Sequence, residues 1–256
     1  MIHQTAIIDK SANLADDVTV GPYSIIGANV DIDAGTSIGP HVVINGPTSI
    51  GKNNRIFQFA SIGEEPQDKK YRGEPTRLEI GDDNVIREYC TISRGTVQDE
   101  GITRVANDNW IMAYVHIAHD CQIGSHTIFA NSASLAGHVT VEDYAILGGF
   151  TLVHQFCKVG AHCFTAMNSV ISKDVPPYLM IAGHMAKPYG LNVEGLKRRG
   201  MSSEVLSALK SAYKVVYRSG YSIEQASNEL SELAKKYAEV DQFVKFLSNA
   251  TRGIVR

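Results

Sequence analysis

The sequence carries an aliphatic residue at every sixth position over most of its length. The first series is Ile2, Ile8, Leu14, Val20, Ile26, Ile32, Ile38, Ile44, Ile50, Ile56 and Ile62. The second series is Ile80, Ile86, Ile92 and, after a slip of one residue, Val105, Ile111, Ile117, Ile123, Phe129, Leu135, Val141, Leu147, Val153, Val159 and Ile171. The residue four places after each position of the first series is small or β-branched, as at Ala6 and Val18. Neither a helix nor an alternating strand has this period.

A six-residue repeat is typical of a parallel β-helix, in which short strands stack coil upon coil. The repeat residue and the small residue four places later then point into the core, and the other positions mostly point outward. The pattern resembles that of hexapeptide-repeat acyltransferases, whose β-helix is left-handed, although parallel crossovers are in general right-handed. The resemblance implies three hexapeptides per coil, so residues 18 apart lie about 4.8 Å apart, one above the other.

The predicted fold class is therefore mainly β, a left-handed parallel β-helix with a small C-terminal α-helical domain. Residues 1–187 form the β-helix, with loop excursions near 63–79 and 95–105, where the repeat is interrupted. Such insertions often build the binding face of a repeat protein. Residues 188–256 form the helical domain, in which "SSEVLSALKSAYKVVYRSG", "SIEQASNELSELAKKYAEV" and "DQFVKFLSNATR" are predicted helices.

Charge and hydropathy exclude several classes of protein. The formal net charge is −3, whereas a nucleic-acid-binding protein usually has a stronger basic excess. No apolar stretch approaches the roughly 18 residues that a membrane span needs, so we expect no stable membrane insertion. The N-terminus "MIHQTAIIDK" lacks the basic and apolar regions of a signal peptide. These features favour a cytoplasmic protein.

The four cysteines and the clustered histidines fall at opposite positions of the repeat. Each cysteine lies four residues after a repeat position, which predicts a buried thiol with a packing role; they are Cys90, Cys121, Cys157 and Cys163. The histidines of "YVHIAHDCQIG" and "LAGHV" fall at outward positions instead. Because the repeat positions 117, 135 and 153 are 18 apart, one patch collects His116, His119, Asp120, His138, His154 and Gln155.

The histidine patch leaves three interpretations open. Three imidazoles could hold zinc, as in a hexapeptide-repeat carbonic anhydrase. The same groups could instead perform acid–base chemistry, because an imidazole titrates near neutral pH. A non-catalytic solenoid scaffold would explain the repeat but gives the histidines no role.

Longer motifs resemble one family, the UDP-N-acetylglucosamine O-acyltransferases that take their acyl group from acyl carrier protein. The motifs are "FQFASIGEEPQDKKYRGEPTRLEIG", "VHIAHDC", "LAGHV", "HQFCKVGAH", "KDVPPY" and "NVEGLKRRG". The resemblance implies transfer of a (R)-3-hydroxyacyl group to the sugar 3-hydroxyl, the first step of lipid A biosynthesis, by a homotrimer with its sites between subunits. It implies no cofactor and no metal. A lipid A pathway N-acyltransferase is the related alternative, but its additional N-terminal domain has no counterpart before Ile2.

The resemblance also assigns roles to particular residues. His119 is the implied general base, Asp120 orients it, and the N–H of Gly137 stabilises the oxyanion. The residues implied to bind the substrate are Gln67, Asp68, Lys70, His116, His138, His154, Gln155, Asn192, Glu194, Arg198 and Arg199. Met167 matches the position that limits acyl-chain length in the family. Ser93 is a departure, because the family commonly has histidine before "RGT".

Overall fold

A computed structural model of the chain describes residues 1–256, and its elements are 27 strands and five helices. The first fourteen strands are β1 (Ile7–Ile8), β2 (Asn13–Leu14), β3 (Thr19–Val20), β4 (Ile25–Ile26), β5 (Val30–Ile32), β6 (Ser37–Ile38), β7 (Val43–Ile44), β8 (Thr48–Ile50), β9 (Arg55–Ile56), β10 (Ser61–Glu64), β11 (Arg77–Ile80), β12 (Val85–Ile86), β13 (Thr91–Ser93) and β14 (Ile102–Val105). The others are β15 (Trp110–Ile111), β16 (His116–Ile117), β17 (Gln122–Ile123), β18 (Ile128–Phe129), β19 (Ser134–Leu135), β20 (Thr140–Val141), β21 (Ile146–Leu147), β22 (Leu152–Val153), β23 (Lys158–Val159), β24 (Phe164–Thr165), β25 (Val170–Ile171), β26 (Leu179–Ala182) and β27 (Lys187–Leu191). The helices are α1 (Val193–Arg198), α2 (Ser203–Arg218), α3 (Ile223–Glu229), α4 (Ser231–Lys236) and α5 (Ala238–Ser248).

The strands are distributed in turn over three sheets, so the chain traces a triangular coil. Sheet 1 runs from β1 through every third strand to β25, sheet 2 from β2 to β23, and sheet 3 from β3 to β24 and then β26 and β27. All neighbouring strands pair in parallel except β26 and β27, which are antiparallel. The fold is the predicted left-handed parallel β-helix. We name its edges the 1–2, 2–3 and 3–1 corners after the sheets they join.

The core consists of the repeat residues, as the sequence predicts. Ile26 pairs with Ile44, 18 positions further along, and both are buried. Nearly all repeat residues from Val20 onward are buried, and the positions before them on each strand face outward. The four cysteines are also buried and unpaired. Burial raises the pKa of the Cys121 thiol to about 12, so this thiol remains protonated at neutral pH.

Each corner contains a residue in the left-handed backbone conformation. These residues include Asp120 and His138 at the 1–2 corner, with φ of 60° and 62°. An aspartate accepts this conformation readily, whereas a larger side chain loses roughly 1–2 kcal/mol there. Stacking between coils offsets that loss: the rings of His138 and Phe156 lie 4.4 Å apart.

The two excursions leave the solenoid at the same corner. Ile50 pairs with Ile80, 30 positions further along, so the first excursion adds twelve residues to a coil of 18. Ile80 pairs with Val105, 25 positions further along, so the second adds seven. Both lie between a strand of sheet 1 and a strand of sheet 2, as residues 65–76 and 94–101. The predicted range 95–105 is too long at its C-terminal end because residues 102–105 pair as β14.

The C-terminal helices pack on the last coils. α2 and α5 bury their apolar sides, including Leu209 and Phe243. The predicted helix at 222–240 is instead α3 and α4, because the chain turns at buried Leu230. β27 crosses the boundary that the sequence places between residues 187 and 188, and this division into domains stays a prediction. None of the five helices combines the length and hydrophobicity required to cross a bilayer.

A ladder of buried asparagines stabilises the 2–3 corner. The Oδ1 atom of Asn54 accepts from the N–H of Asn84 at 2.9 Å, and that of Asn84 accepts from the N–H of Asn109 at 3.0 Å. The amide of Asn84 also donates to the carbonyl of Ala106 at 2.9 Å. Each asparagine thus satisfies backbone groups that face the core and have no strand partner.

We expect Asn84→Ala to lower the free energy of unfolding by about 2–4 kcal/mol, because it leaves two buried backbone groups without partners at about 1–3 kcal/mol each. Urea unfolding followed by circular dichroism measures the change. Ser49→Ala, on the outward side of sheet 2, is the matched control and should change little. Equal stability of the two variants would contradict the importance of the ladder.

Candidate active site

A cleft of about 690 Å³ opens at the 1–2 corner, between the two excursions. Its lining residues are Gln67, Asp68, Lys69, Lys70, Gln98, Asp99, His119, His138, Gln155 and Phe156. Six of these ten belong to the two excursions and lie outside the repeat pattern, yet the shared corner brings them next to His119. A larger cavity of about 850 Å³ lies on sheet 2 and the 2–3 corner, but none of the predicted site residues lines it.

His119 and Asp120 form a hydrogen-bonded pair at the centre of this cleft. The distance between Nδ1 of His119 and Oδ2 of Asp120 is 2.8 Å. This contact leaves Nε2 as the imidazole nitrogen available to a ligand. A carboxylate that binds one nitrogen fixes the orientation of the ring and stabilises the imidazolium that forms when the other nitrogen takes a proton.

Asp120 is buried, whereas the repeat pattern predicts an outward side chain for the patch. The second excursion covers it: the N–H of Thr96 donates to Oδ1 at 2.8 Å and the hydroxyl of Thr96 donates to Oδ2 at 2.6 Å. Burial by itself disfavours the charged carboxylate, but the hydrogen bonds from His119 and Thr96 together lower the pKa of Asp120 below its ordinary value. Asp120 is therefore a carboxylate at neutral pH.

His138 lies directly beside this pair. Its ring is perpendicular to that of His119, with centroids 5.1 Å apart. Its Nδ1 lies 3.0 Å from Oδ2 of Asp99, and its Nε2 lies 3.7 Å from Oδ2 of Asp120. His138 is therefore held by the second excursion, and its Nε2 faces the carboxylate of Asp120. His116 is half-buried on β16, and its Nδ1 lies 2.7 Å from the hydroxyl of Thr91.

Gly137 provides the surface against which the His119 ring lies. A Cβ atom at this position would be 2.5 Å from Cε1 and 2.7 Å from Nε2 of His119, so a larger residue would displace the imidazole. The N–H of Gly137 donates no hydrogen bond within the chain. A free backbone N–H next to a histidine base is the kind of donor that stabilises a developing oxyanion.

The first excursion forms the opposite wall. Gln67 and Asp68 are its first polar residues at the cleft, and the N–H of Lys70 donates to Oδ1 of Asp68 at 2.9 Å. Gln155 lies on the lower coil and also lines the cleft. His154 is exposed next to it and accepts from the Arg252 guanidinium at 3.3 Å. These predicted residues therefore gather at one corner.

The predicted residues of the helical domain lie at a different corner. Arg199 stacks on Tyr144, with its guanidinium 4.9 Å from the ring centroid, and both contact the 2–3 corner. The side chain of Asn192 caps α1 through the N–H of Gly195 and donates to the carbonyl of His162 at 3.1 Å. One whole face of the solenoid, sheet 2, separates this group from His119 within a single chain.

The remaining members of this second group are exposed. Glu194 forms an ion pair with Lys197 at 3.0 Å, and Arg198 faces solvent without an acidic partner. Burial and the nearby Arg199 lower the pKa of His162 to about 4, so this histidine is neutral next to the arginine. The group thus presents free cationic charge at the 2–3 corner.

Met167 lies at a different corner from the histidine pair, whereas Ser93 precedes the segment that binds Asp120. Met167 is 76% exposed at the 3–1 corner, where its backbone N lies close to Gly148 on the coil above. Ser93 is buried at the end of β13, and its hydroxyl makes no hydrogen bond within the chain. Neither side chain hydrogen-bonds to His119, and the role of each stays a prediction.

The sequence analysis missed the residues of the second excursion that hold the site. They are Arg94, Thr96 and Asp99, which contact the first excursion, Asp120 and His138 respectively. A signal was present in the repeat. Ile62 and Ile92 occupy the same sheet on consecutive coils. The two interruptions of the repeat that follow them must therefore leave the solenoid at one corner.

The donor atoms of the site do not form a good zinc site. His119, Asp120 and His138 each offer a ligand atom, all within 4.8 Å of one another. However, both oxygens of Asp120 already accept hydrogen bonds from Thr96, and Oδ2 also contacts His119. His116, which the zinc interpretation requires, bonds to Thr91 instead. A cation bound by Asp120 would have to displace these contacts, whereas Nε2 of His119 stays free in the cleft.

Comparison with known proteins agrees with the class that the fold and cleft define, a hexapeptide-repeat transferase. A model of bacterial transferase hexapeptides matches residues 102–137, and a model of UDP-N-acetylglucosamine O-acyltransferase domain 2 matches residues 174–255. The chain is 62% identical over 255 residues to the acyl-(acyl-carrier-protein)–UDP-N-acetylglucosamine O-acyltransferase of Thiobacillus denitrificans, covering 100% of this chain and 99% of the relative.

Solved structures give the same result. The UDP-N-acetylglucosamine O-acyltransferase of Moraxella catarrhalis is similar with a TM-score of 0.98 and 49% identity, covering 100% of this chain and 99% of the other. The acyltransferase of Francisella novicida also has a TM-score of 0.98, with 47% identity and coverage of 100% and 94%. The chain belongs to the acyl-(acyl-carrier-protein)–UDP-N-acetylglucosamine O-acyltransferase family.

We expect the purified protein to contain zinc at well below one equivalent, because both oxygens of Asp120 already accept hydrogen bonds and the two histidines beside it are fewer than the three protein ligands of a zinc site. Elemental analysis after dialysis measures the content, and a chelator should leave the melting temperature unchanged. Stoichiometric zinc that disappears in His119→Ala would contradict this and favour the carbonic anhydrase interpretation.

Proposed function

We propose that this protein transfers a (R)-3-hydroxyacyl group from acyl carrier protein to the 3-hydroxyl of UDP-N-acetylglucosamine, the first step of lipid A biosynthesis. The observation that carries the proposal is the His119–Asp120 pair, 2.8 Å apart, beside the free N–H of Gly137. Family membership supplies the two substrates. Relatives with this activity match over the full chain, which favours it over the carbonic anhydrase and the N-acyltransferase.

The reaction needs a base, an oxyanion donor and positioning. Nε2 of His119 takes the proton of the sugar 3-hydroxyl while the oxygen attacks the thioester carbon. Asp120 stabilises the resulting imidazolium through Nδ1, and the N–H of Gly137 donates to the oxyanion. When the carbon–sulfur bond breaks, the imidazolium returns its proton to the departing thiolate. A thioester is already an activated donor, so the scheme requires neither a cofactor nor a covalent intermediate.

A homotrimer is part of the proposal, and the three outward faces support it. Sheet 2 presents polar residues outward, namely Asp31, Ser49, Glu79, Arg104, Gln122, Thr140 and Lys158. Sheets 1 and 3 present more apolar residues, namely Ile7, Ile25, Val43, Leu152, Val170, Val85, Trp110, Ile128, Ile146, Phe164 and Met180. Their polar positions are Ser61, Thr91, His116 and Ser134 in sheet 1 and Thr19, Ser37 and Arg55 in sheet 3. Extended apolar faces mark protein interfaces. We therefore assign sheets 1 and 3 to neighbouring subunits and sheet 2 to solvent.

This arrangement would also unite the two groups of site residues. If sheet 1 of one subunit faces sheet 3 of the next, the 1–2 corner of the first approaches the 2–3 corner of the second. The arginines at 198 and 199 then face the cleft of the neighbouring subunit. Arg198 is exposed and without an acidic partner, and guanidinium groups bind phosphate oxygens with paired hydrogen bonds. We assign this group to the nucleotide diphosphate.

The proposed location is the cytoplasm. Four cysteines remain as unpaired buried thiols, a state that a reducing compartment maintains. The proposed substrates agree with this location, because the nucleotide sugar is polar and the acyl chain arrives attached to a carrier protein.

His119→Ala should reduce kcat by roughly two to three orders of magnitude, the usual contribution of a general base. Acyl transfer from 3-hydroxyacyl carrier protein to UDP-N-acetylglucosamine is measured by product formation. The melting temperature should hardly change, because no repeat residue is altered. His3→Ala, an exposed histidine of the first coil, is the control. Activity of His119→Ala within tenfold of the parent would rule out its role as base.

Arg198→Ala should raise KM for the nucleotide sugar about tenfold or more, since a hydrogen bond to a charged group contributes about 1.5–3 kcal/mol. Arg199→Ala should have the same effect and also lower stability, because it loses the Tyr144 stack. Lys235→Ala removes an equal charge from an exposed ion pair on α4 and is the control. A loss of stability without any change in KM would show that these arginines are only structural.

Met167 should limit the length of the acyl chain. In the proposed trimer the 3–1 corner borders the groove between neighbouring subunits, and the methionine occupies the space of roughly three or four methylenes, each worth about 0.8 kcal/mol. We expect a preference for 3-hydroxydecanoyl over 3-hydroxymyristoyl donors, of about 2–3 kcal/mol in kcat/KM. Met167→Gly should shift the preference to longer donors, whereas Met167→Leu should not. A parent enzyme that is fastest with 3-hydroxymyristoyl carrier protein would disprove this role.

A further inference from the structure

Arg94 is a buried arginine directly after β13, where the second excursion begins. Its residue exposure is only 7%. Arginine is almost never fully buried unless it is paired, because removing the guanidinium from water is costly. No carboxylate lies within 3.5 Å of it: its nearest is Glu65 Oε1 at 3.8 Å, on a largely exposed side chain. The groups that hold Arg94 therefore indicate what its burial achieves.

The guanidinium binds the start and the middle of the first excursion at once. Its Nη1 donates to the carbonyl of Gly46, two coils above β13, at 2.9 Å and to that of Gly63, on the coil between them, at 3.0 Å. Its Nη2 donates to the hydroxyl of Tyr71 at 3.2 Å. The backbone N–H of Arg94 donates to the carbonyl of Glu64 at 3.0 Å. A planar group with several fixed donors can bridge acceptors that a lysine cannot reach together.

Tyr71 completes the attachment. Its hydroxyl accepts from Arg94 and donates to the carbonyl of Glu74 at 2.8 Å, which closes the C-terminal part of the excursion. Its own N–H donates to the carbonyl of Asp68 at 3.0 Å. The segment between the Gly63 and Tyr71 attachments carries Gln67, Asp68 and Lys70, which line the cleft.

The same short segment also holds the catalytic pair. Two residues after Arg94, Thr96 binds both oxygens of Asp120, and Asp99 contacts His138. The second excursion is thus attached to the first excursion through Arg94 and to Asp120 of the histidine pair through Thr96. A substitution of Arg94 can therefore release the first excursion and leave the His119–Asp120 pair intact.

We infer that Arg94 is a positioning residue that holds the first excursion over the cleft and so sets the affinity for the acceptor sugar. That the first excursion binds the sugar rests on the proposed function. Arg94 does not touch the reacting atoms, so its effect should appear in KM for the nucleotide sugar and not in kcat. Its loss should also be visible in the excursion itself, without any substrate.

Limited proteolysis tests the attachment independently of activity. Lys69, Lys70 and Arg72 are exposed trypsin sites within the excursion. We expect cleavage there, identified by mass spectrometry, to be at least several-fold faster in Arg94→Lys and in Tyr71→Phe than in the parent. Arg77→Lys changes an exposed ion-paired arginine at the end of the excursion and should leave the rate unchanged. Equal cleavage rates in all four proteins would overturn the inference.

Steady-state kinetics test the consequence. Arg94→Lys should raise KM for UDP-N-acetylglucosamine about tenfold, the scale of a lost charge-assisted hydrogen bond, with kcat within threefold and KM for the acyl donor unchanged. Tyr71→Phe, which removes one hydroxyl, should show a smaller change in the same direction. KM for the nucleotide sugar in the double variant should equal that in Arg94→Lys alone, because the two substitutions remove the same attachment.

The outcomes separate this inference from the proposed function. A fall in kcat without a change in KM would show that Arg94 acts on the catalytic pair and would overturn the inference. A parent protein without acyltransferase activity would refute the proposed function, whereas faster cleavage in the two variants would still establish the attachment. If Arg94→Lys proved too unstable to purify, Tyr71→Phe alone would decide the question.

Discussion

The parallel pairing of coils 18 residues apart is the constraint on which the rest of the structure depends. Each strand contributes an inward repeat residue and hydrogen-bonds to the strand above and the strand below. A side chain at a corner is therefore fixed relative to the residue one coil later. His119 lies over Gly137, and His138 stacks on Phe156, as a direct result of this register. The register of the solenoid brings the histidines together, and the second excursion then holds Asp120 and His138 in place.

Insertions are tolerated in such a fold only where they leave its register intact. The twelve and seven additional residues leave at the 1–2 corner and return to the next strand of sheet 2, so the ladder continues as if they were absent. Because both leave at one corner, they enclose a cleft at that corner. The second excursion also buries Asp120 under Thr96. The insertions thus turn an exposed histidine row into an enclosed site with an oriented carboxylate.

The distribution of polarity over the three faces has a functional consequence. A face that is polar over its length can remain in water, whereas two apolar faces require partners. The chain places its histidine pair at one end of sheet 2 and its free arginine at the other. In the proposed trimer, these two groups from neighbouring subunits would together form the site for the nucleotide sugar. The same apolar faces that stabilise an assembly would therefore also complete its active sites, which couples assembly to activity.

The sequence by itself determined the solenoid, the buried cysteines and the histidine cluster at one corner, because a six-residue period is local and propagates by simple translation. It could not reveal that Asp120 is buried, that Arg94 and Thr96 hold the cleft, or that α3 and α4 are separate helices. The side chain of Asn192 illustrates the same limit: its polar atoms are engaged by Gly195 and His162. These features depend on contacts between irregular segments distant in the chain, which have no period, and only the tertiary structure decided them.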